Sequence, residues 1–102
     1  MLALNVAAGR LAAAVVIALV PACKPKASPS QCDALIARYA QLVVTEEFPD
    51  ASADQVRLEQ ERERSEARGD DVFKNCSSEV SQTEFGCAMG AATPDAFEKC
   101  LE

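Results

Sequence analysis

Cysteine is the residue type with the clearest chemistry in this sequence, and its count is odd. The chain of 102 residues has five cysteines and no histidine. In an oxidising compartment four cysteines form two disulfides, which leaves one thiol over. The last four are separated by gaps of 43, 10 and 12 residues, unlike the short C-x2-C knuckles of structural zinc sites. We therefore predict two disulfides among Cys32, Cys76, Cys87 and Cys100, with Cys23 as the fifth cysteine, and no metal site.

No catalytic arrangement is recognisable in the sequence. The lack of histidine removes Ser-His-Asp and Cys-His arrangements, and there is no C-x-x-C motif for thiol exchange. The adjacent acids Glu46-Glu47 and Asp70-Asp71 point in different directions on a helix, so they do not form an acid–base pair. We predict that the protein is not an enzyme and binds no cofactor.

The amino terminus has the three parts of a secretory signal peptide. Arg10 supplies the basic region, residues 11–20 carry no polar side chain, and the small residue Ala22 ends the segment. This apolar block is too short to span a bilayer, which needs about 20 residues, and Pro21 ends any helix there. The pattern predicts cleavage of residues 1–22.

Residues Val20, Pro21, Ala22 and Cys23 resemble the lipobox of bacterial lipoproteins: an aliphatic residue, a variable one, a small one and cysteine. The resemblance implies diacylglycerol on the Cys23 sulfur, cleavage between Ala22 and Cys23, and an acylated new amino terminus. Two or three acyl chains hold a protein stably on a membrane. Acylation of Cys23 also leaves an even number of cysteines. The alternative is ordinary cleavage near Ala22, which leaves Cys23 as a free thiol.

The predicted mature chain, residues 23–102, is acidic. Removal of residues 1–22 takes away one of ten basic residues and none of the 16 acidic ones, so the formal charge becomes −7. Such a chain binds nucleic acid poorly and is not attracted to anionic lipid. By resemblance to enterobacterial sorting, Lys24 in place of aspartate gives no inner-membrane retention signal. We therefore expect the outer membrane rather than the inner one.

A flexible tether is predicted at residues 23–30, followed by a helical domain at residues 31–102. Two prolines, two lysines and two serines make up most of residues 24–30, and we expect this segment to hold the domain about 20 Å from the lipid. The first helix is predicted to begin with Ser30 as N-cap. It should end at Phe48, because a residue before proline avoids helical geometry.

Three further helices are predicted after residue 50. Ser52 should cap the second one, with Gln55 completing a capping box. Its many Glu and Arg residues indicate a solvated face in preference to a charged partner-binding surface. The third is predicted over residues 77–91, and Thr93-Pro94 should open the fourth. The predicted fold is all-α, a small disulfide-stapled bundle of three to four helices after the signal peptide.

Four cysteines allow three connectivities. Antiparallel first and second helices bring Cys76 back towards Cys32, and antiparallel third and fourth helices place Cys87 and Cys100 at similar heights. We therefore favour Cys32–Cys76 with Cys87–Cys100. The alternative, Cys32–Cys87 with Cys76–Cys100, clamps the third helix between its neighbours. Eleven residues make about three helical turns, so Cys76 and Cys87 are expected to face the same way.

The last quarter of the chain combines the spacing Cys-x10-Cys-x12-Cys with a Thr-Pro-Asp helix start. The residues concerned are Cys76, Glu79, Cys87, Ala88, Thr93, Pro94, Asp95 and Cys100. This segment resembles small, uncharacterised helical lipoproteins of myxobacteria. The resemblance implies a helical disulfide architecture and no particular activity.

Together these observations lead us to expect a lipid-anchored protein of the cell envelope with a small helical binding or structural module. Its expected partners are the membrane, through the lipid on Cys23, and another envelope protein. One alternative is a soluble secreted helical factor, if Cys23 is not acylated. Another is an envelope enzyme or accessory subunit whose site the sequence does not reveal.

Overall fold

The computed structural model describes residues 25–102 of the chain. The described residues are helical and contain no β-strand, which confirms the predicted all-α class. The predicted signal peptide, its cleavage site at Ala22 and the lipidation site Cys23 lie outside the described residues. The helices are α1 (Pro29–Glu47), α2 (Ala53–Ala67), α3 (Asp71–Lys74), α4 (Cys76–Glu79), α5 (Gln82–Met89) and α6 (Pro94–Cys100).

Helix α1 is the long element on which the others pack. Its N-cap is Ser28 and not Ser30 as predicted, because Pro29 occupies the first helical position and Gln31 closes a capping box with Ser28. The helix ends at Glu47 with Phe48 as C-cap, as the following proline predicts. Its buried side chains are Cys32, Leu35, Ile36, Ala40, Leu42, Val43 and Val44.

Helix α2 runs back along α1 after a turn at residues 48–52. The Ser52 hydroxyl accepts a hydrogen bond from the Gln55 backbone N–H at 3.2 Å, so the predicted N-cap is confirmed. The Gln55 side chain does not return the bond, so the capping box is half formed. Ala67 is the one residue of α2 that is buried, because the face turned towards α1 carries glutamine and glutamate between its apolar residues.

The predicted third helix is broken in the structure, and that prediction was wrong. Val80 and Ser81 are extended (φ −88°, ψ 124° and φ −82°, ψ 165°), which separates α4 from α5. Ser81 caps α5: its hydroxyl accepts from the Glu84 N–H at 3.1 Å, and its N–H donates to Glu84 Oε1 at 2.9 Å. Cys76 and Cys87 therefore lie on different helices. The S-x-x-E capping box at residues 81–84 was the local signal that helical periodicity obscured.

Two disulfides connect the short helices to one another and to α1. Cys32–Cys76 joins α1 to α4, and Cys87–Cys100 joins α5 to the end of α6. Of the two connectivities weighed from the sequence, the structure contains the favoured one. The short helices α4, α5 and α6 each contact α1, and Phe73 of α3 packs against Tyr39 of α1.

The hydrophobic core lies where α1 meets α3 and α6. Tyr39, Phe73 and Phe97 form an aromatic cluster with ring centroids 5.3 to 6.2 Å apart. Phe97 and Leu35 are fully buried. Thr93 caps α6 by accepting from the Ala96 N–H at 3.1 Å, with Pro94 in the first turn. The predicted start of the last helix is therefore confirmed, and this start directs Phe97 into the core.

Candidate binding surfaces

Among the described residues no group of three or more His, Cys, Asp or Glu side chains is placed to hold a metal ion. The predictions that the protein binds no metal and performs no catalysis stay predictions. No helix of residues 25–102 has the length and apolar character needed to cross a membrane. Three surface features with defined geometry remain: a clasp at the amino terminus, an acidic cleft and a groove that contains arginine.

The amino-terminal clasp is formed by residues 25–28 lying against the break between α4 and α5. Lys26 pairs with Ser81 in an isolated antiparallel bridge. The Ala27 N–H donates to the Val80 carbonyl at 2.8 Å, and the Gln82 N–H donates to the Pro25 carbonyl at 3.1 Å. Ala27 is 3% exposed. The predicted flexible tether at residues 23–30 was therefore wrong for residues 25–30, because these residues belong to the folded domain.

Two glutamine side chains reinforce the clasp. Gln31 Nε2 donates to Gln82 Oε1 at 3.0 Å, and Gln82 Nε2 donates to Gln31 Oε1 at 2.7 Å. Gln31 Oε1 also accepts from the Ser28 N–H at 2.9 Å, and Gln82 Nε2 donates to the Lys26 carbonyl at 3.0 Å. The side chains of Gln31 and Gln82 thus connect residues 25–28, the start of α1 and the start of α5. The position at which the chain enters the domain is held by both backbone and side-chain hydrogen bonds.

The acidic cleft is an indentation of about 290 Å³ between α1, α3 and α6. Its apolar floor is buried or half-buried, and its three acidic side chains are exposed at the edge. None of the residues that line it is basic. The lining consists of Tyr39, Val72, Phe73, Phe97 and Leu101 with the acids Asp70, Glu98 and Glu102.

Tyr39 connects the floor of the acidic cleft to its charged edge. Burial raises the pKa of its phenol, and the negative charge of Glu98 raises that pKa further, followed by smaller effects of Glu63, Asp70 and Glu47. The hydroxyl therefore lies in a region of negative electrostatic potential. The structure places one side of Tyr39 in the aromatic cluster and the other in this cleft.

The arginine groove lies across α1 from this cleft and measures about 420 Å³. Ala34 and Ala37 form its low floor, between Met89 of α5 and the polar residues of α2. Arg38 Nη2 donates to the Ala91 carbonyl at 2.8 Å, just beyond the end of α5, where a positive charge stabilises the carboxyl end of a helix. Arg64 Nη1 lies 3.7 Å from Glu61 Oε1. The Nη atoms of both guanidinium groups have partners within the protein, whereas Arg38 Nε and Arg64 Nε are buried without a hydrogen-bond partner among the described residues.

The outer face of α2 carries ion pairs within the helix. Arg62 pairs with Glu59 and with Glu66, and all three side chains are in contact with solvent. Leu58, 64% exposed, is the large hydrophobic residue that stands out on the described surface. Exposed pairs of this kind contribute little to stability. The geometry is that of a solvated face.

The acidic cleft is the surface with the features of a binding site, since it combines an apolar floor with a few polar groups at its edge. Its lining comes from three separated segments of the chain, near residues 39, 70–73 and 97–102. The sequence does not predict that these segments meet, because they are far apart along the chain. No protein-family model matches the chain, and no match was found among the curated proteins or the solved structures.

Proposed function

We propose that the protein is a lipoprotein of the cell envelope, anchored through acylated Cys23, whose helical domain is a binding module held at the membrane surface. The observation that carries this proposal is the amino-terminal clasp, in which the Gln82 N–H holds the carbonyl of Pro25, two residues after Cys23. We further propose the outer membrane as its location, because Lys24 is not a retention signal.

The use of the cysteines supports lipidation of Cys23. The four cysteines of the described residues are paired in two disulfides. The fifth, Cys23, then has no partner within the chain, and acylation removes an unpaired thiol from an exported protein. Disulfides themselves are typical of oxidising compartments, in agreement with an export signal.

The clasp makes the connection to lipid short. Two residues span at most about 7 Å, at 3.3–3.6 Å per residue, in place of the 20 Å expected for a flexible tether. The base of the domain, at residues 25–28 and 80–82, would thus lie beside the lipid headgroups. Helix α1 starts there and, with 19 residues, extends about 28 Å from its base.

The distribution of charge favours this orientation. The attachment end carries Lys24 and Lys26 beside the acids Glu79 and Glu84, so its charges balance, whereas the far end of the α1–α2 hairpin carries four acids and no base between residues 45 and 54. Anionic lipid repels the far end, whose negative charge is not balanced, within a Debye length of the surface. The acids of the far end are Glu46, Glu47, Asp50 and Asp54.

The test of the anchor is mass spectrometry of the mature amino terminus after expression with the native signal peptide. We expect acyl mass on Cys23 and recovery of the protein in the membrane fraction. A matched Cys23→Ser variant should appear in the soluble fraction with its helical domain intact, because the disulfides do not use Cys23. Unmodified Cys23 in a soluble wild-type protein would support the alternative, a secreted helical factor.

The orientation has its own test. In nanodiscs with a gadolinium-chelating lipid, NMR signals of residues 25–31 and 80–82 should broaden strongly, and those of residues 46–54 should broaden little. Insertion of ten Gly/Ser residues between Lys24 and Pro25 should reduce the difference. Equal broadening at both ends of the wild-type protein would contradict the short connection without affecting the evidence for acylation.

A further inference from the structure

The acidic cleft has a composition that selects for charge as well as shape. Its floor presents half-buried Tyr39, Val72 and Leu101 to a ligand, while Phe73 and Phe97 support them from below. At the edge, Asp70 precedes α3, and Glu98 and Glu102 come from α6 and the residues after it.

We propose that the acidic cleft binds a basic side chain, lysine or arginine, presented by a partner protein. The aliphatic stem of such a side chain packs on apolar surface while its charged end remains at the edge. In the cleft the stem lies against Val72 and Leu101, and the cation meets the carboxylates of Asp70 and Glu98. The ring of Tyr39 adds an aromatic face, which attracts cations.

The internal contacts of the cleft leave its carboxylates available. Asp70 is the N-cap of α3, yet its side chain makes no capping hydrogen bond. Within residues 25–102 the ion pairs of the structure join residues of α2 to one another, and none uses Asp70, Glu98 or Glu102. Among the described residues the carboxylates of the cleft are thus not used in an ion pair. An external cation is the complementary ligand.

A protein side chain is the favoured source because of where the cleft lies. Tyr39 is ten residues beyond the start of α1 at Pro29, which places the cleft about 15 Å along the helix from the clasp. Headgroup amines would lie at the clasp end under the proposed anchoring. Binding in the cleft itself does not depend on acylation of Cys23.

The chain contains a natural reporter for the experiment. Tyr39 is the one tyrosine in a sequence without tryptophan, so the near-ultraviolet fluorescence comes largely from the cleft. Purified mature protein in a neutral detergent is titrated with n-butylammonium and n-propylguanidinium, which represent the ends of lysine and arginine. 1-Butanol and butyrate serve as neutral and anionic probes of similar size. The ring signals of Tyr39 in NMR spectra provide the second readout.

We expect saturable changes with one or both cations, at dissociation constants of about millimolar order for ligands this small. The neutral probe should bind about tenfold more weakly, and the anion should give no saturable change. The ratio between the two cations shows whether the cleft favours lysine or arginine. Equal responses to butylammonium and 1-butanol, or no response at Tyr39 to either cation, would overturn the proposal.

Charge variants distinguish cation binding in the cleft from general attraction to an acidic protein. Asp70→Asn and Glu98→Gln should each weaken cation binding about two- to fivefold, the range of single partly exposed pairs. Glu79→Gln changes the net charge equally but lies on α4, outside the cleft, and should leave binding unchanged. Circular dichroism of each variant establishes that the fold is retained. Equal weakening by Glu79→Gln would show non-specific attraction and contradict the site.

Discussion

The two sides of helix α1 are covered in very different ways. On one side α3, α4, α5 and α6 bury an aromatic cluster and are joined by two disulfides; we refer to this part as the stapled region. On the other side α2 packs with a stripe of Val56, Gln60, Glu63 and Ala67, of which only Ala67 is buried. The stapled region is therefore fixed by an aromatic core and two disulfides, whereas α2 contributes a single buried residue to its contact with α1.

This difference shows that the interactions that stabilise this small acidic domain lie mainly in the stapled region. A chain of this size has a limited apolar core, and disulfides compensate for it. Here both disulfides lie in the stapled region, which also contains the clasp and most of the acidic cleft. Segments with few buried apolar contacts open at lower free energy than the rest of a domain. We expect the backbone amides of α2 to exchange with solvent faster than those of α1 and α6.

The largest effect should come from the aromatic core. Phe97→Ala removes a fully buried ring and should lower the free energy of unfolding by about 3–5 kcal/mol. The matched change in α2, Leu58→Ala, removes a side chain that is 64% exposed and should change it by less than about 0.5 kcal/mol. Denaturant unfolding followed by circular dichroism measures both. Similar losses would contradict the contrast between the two sides.

Removal of the disulfides should follow in magnitude. The Cys32–Cys76 bridge spans a sequence separation of 44 residues and Cys87–Cys100 one of 13. Since a longer loop restricts the unfolded chain more, paired Cys→Ser variants should cost about 4 and about 3 kcal/mol respectively. Each pair is replaced together so that no unpaired thiol forms. Thermal unfolding of the two variants measures the difference, and a larger loss for the shorter loop would count against the loop-length explanation.

Substitution in the clasp should lower the free energy of unfolding by a smaller amount and should act locally. Gln82→Ala removes its side-chain bonds to Gln31 and to the Lys26 carbonyl, so we expect a loss of about 1–2 kcal/mol. Hydrogen exchange at the Ala27 amide should accelerate. Gln55→Ala in α2 is the control, because the side chain of Gln55 is exposed. If hydrogen exchange at Ala27 stays unchanged, the backbone hydrogen bond to Val80 holds the clasp without the glutamine side chains.

The smallest predicted effect is a gain in stability, and it comes from substitution of Glu63 in α2. Burial raises the pKa of Glu63, and the nearby charges of Glu66 and Glu47 raise it further. A raised carboxyl pKa means that the folded state binds the proton more tightly than the unfolded state does. Stability therefore falls as pH rises from the ordinary glutamate pKa, about 4.3, through the raised value.

Glu63→Gln removes this cost, so it should raise the free energy of unfolding at neutral pH by up to about 1 kcal/mol. Denaturant unfolding at several pH values between 4 and 7 measures the gain. The gain should shrink towards acidic pH, where Glu63 of the wild type is protonated. Glu46→Gln at an exposed position is the control. A gain that is the same at pH 4 and pH 7 would mean that Glu63 is not responsible.

Several elements of the fold could be predicted because their signals are local. Phe48-Pro49 ends α1, Ser52 caps α2, and Thr93-Pro94 opens α6. Each depends on the conformation of one or two residues and on a hydrogen bond between close neighbours. The break after α4 was missed although its capping box at residues 81–84 is also local, because apolar spacing across residues 76–87 suggested an uninterrupted helix.

The clasp and the acidic cleft could not be predicted in the same way. Residues 25–28 have the composition of a flexible linker, and their order depends on hydrogen-bond partners more than 50 positions away at Val80 and Gln82. The cleft draws its lining from three segments that meet when α3 and α6 pack on α1. Neither arrangement leaves a pattern within any short stretch of sequence.

The sequence by itself determined the all-α class, the acidic charge and the helix ends at Phe48, Ser52 and Thr93, because these follow from composition and from neighbouring residues. The tertiary structure decided where the helical domain begins, which residues share a surface and which side of α1 is weakly covered. These properties depend on contacts between distant parts of the chain. The sequence placed Cys23 at the start of a flexible tether, and the fold replaced most of that tether with a clasp.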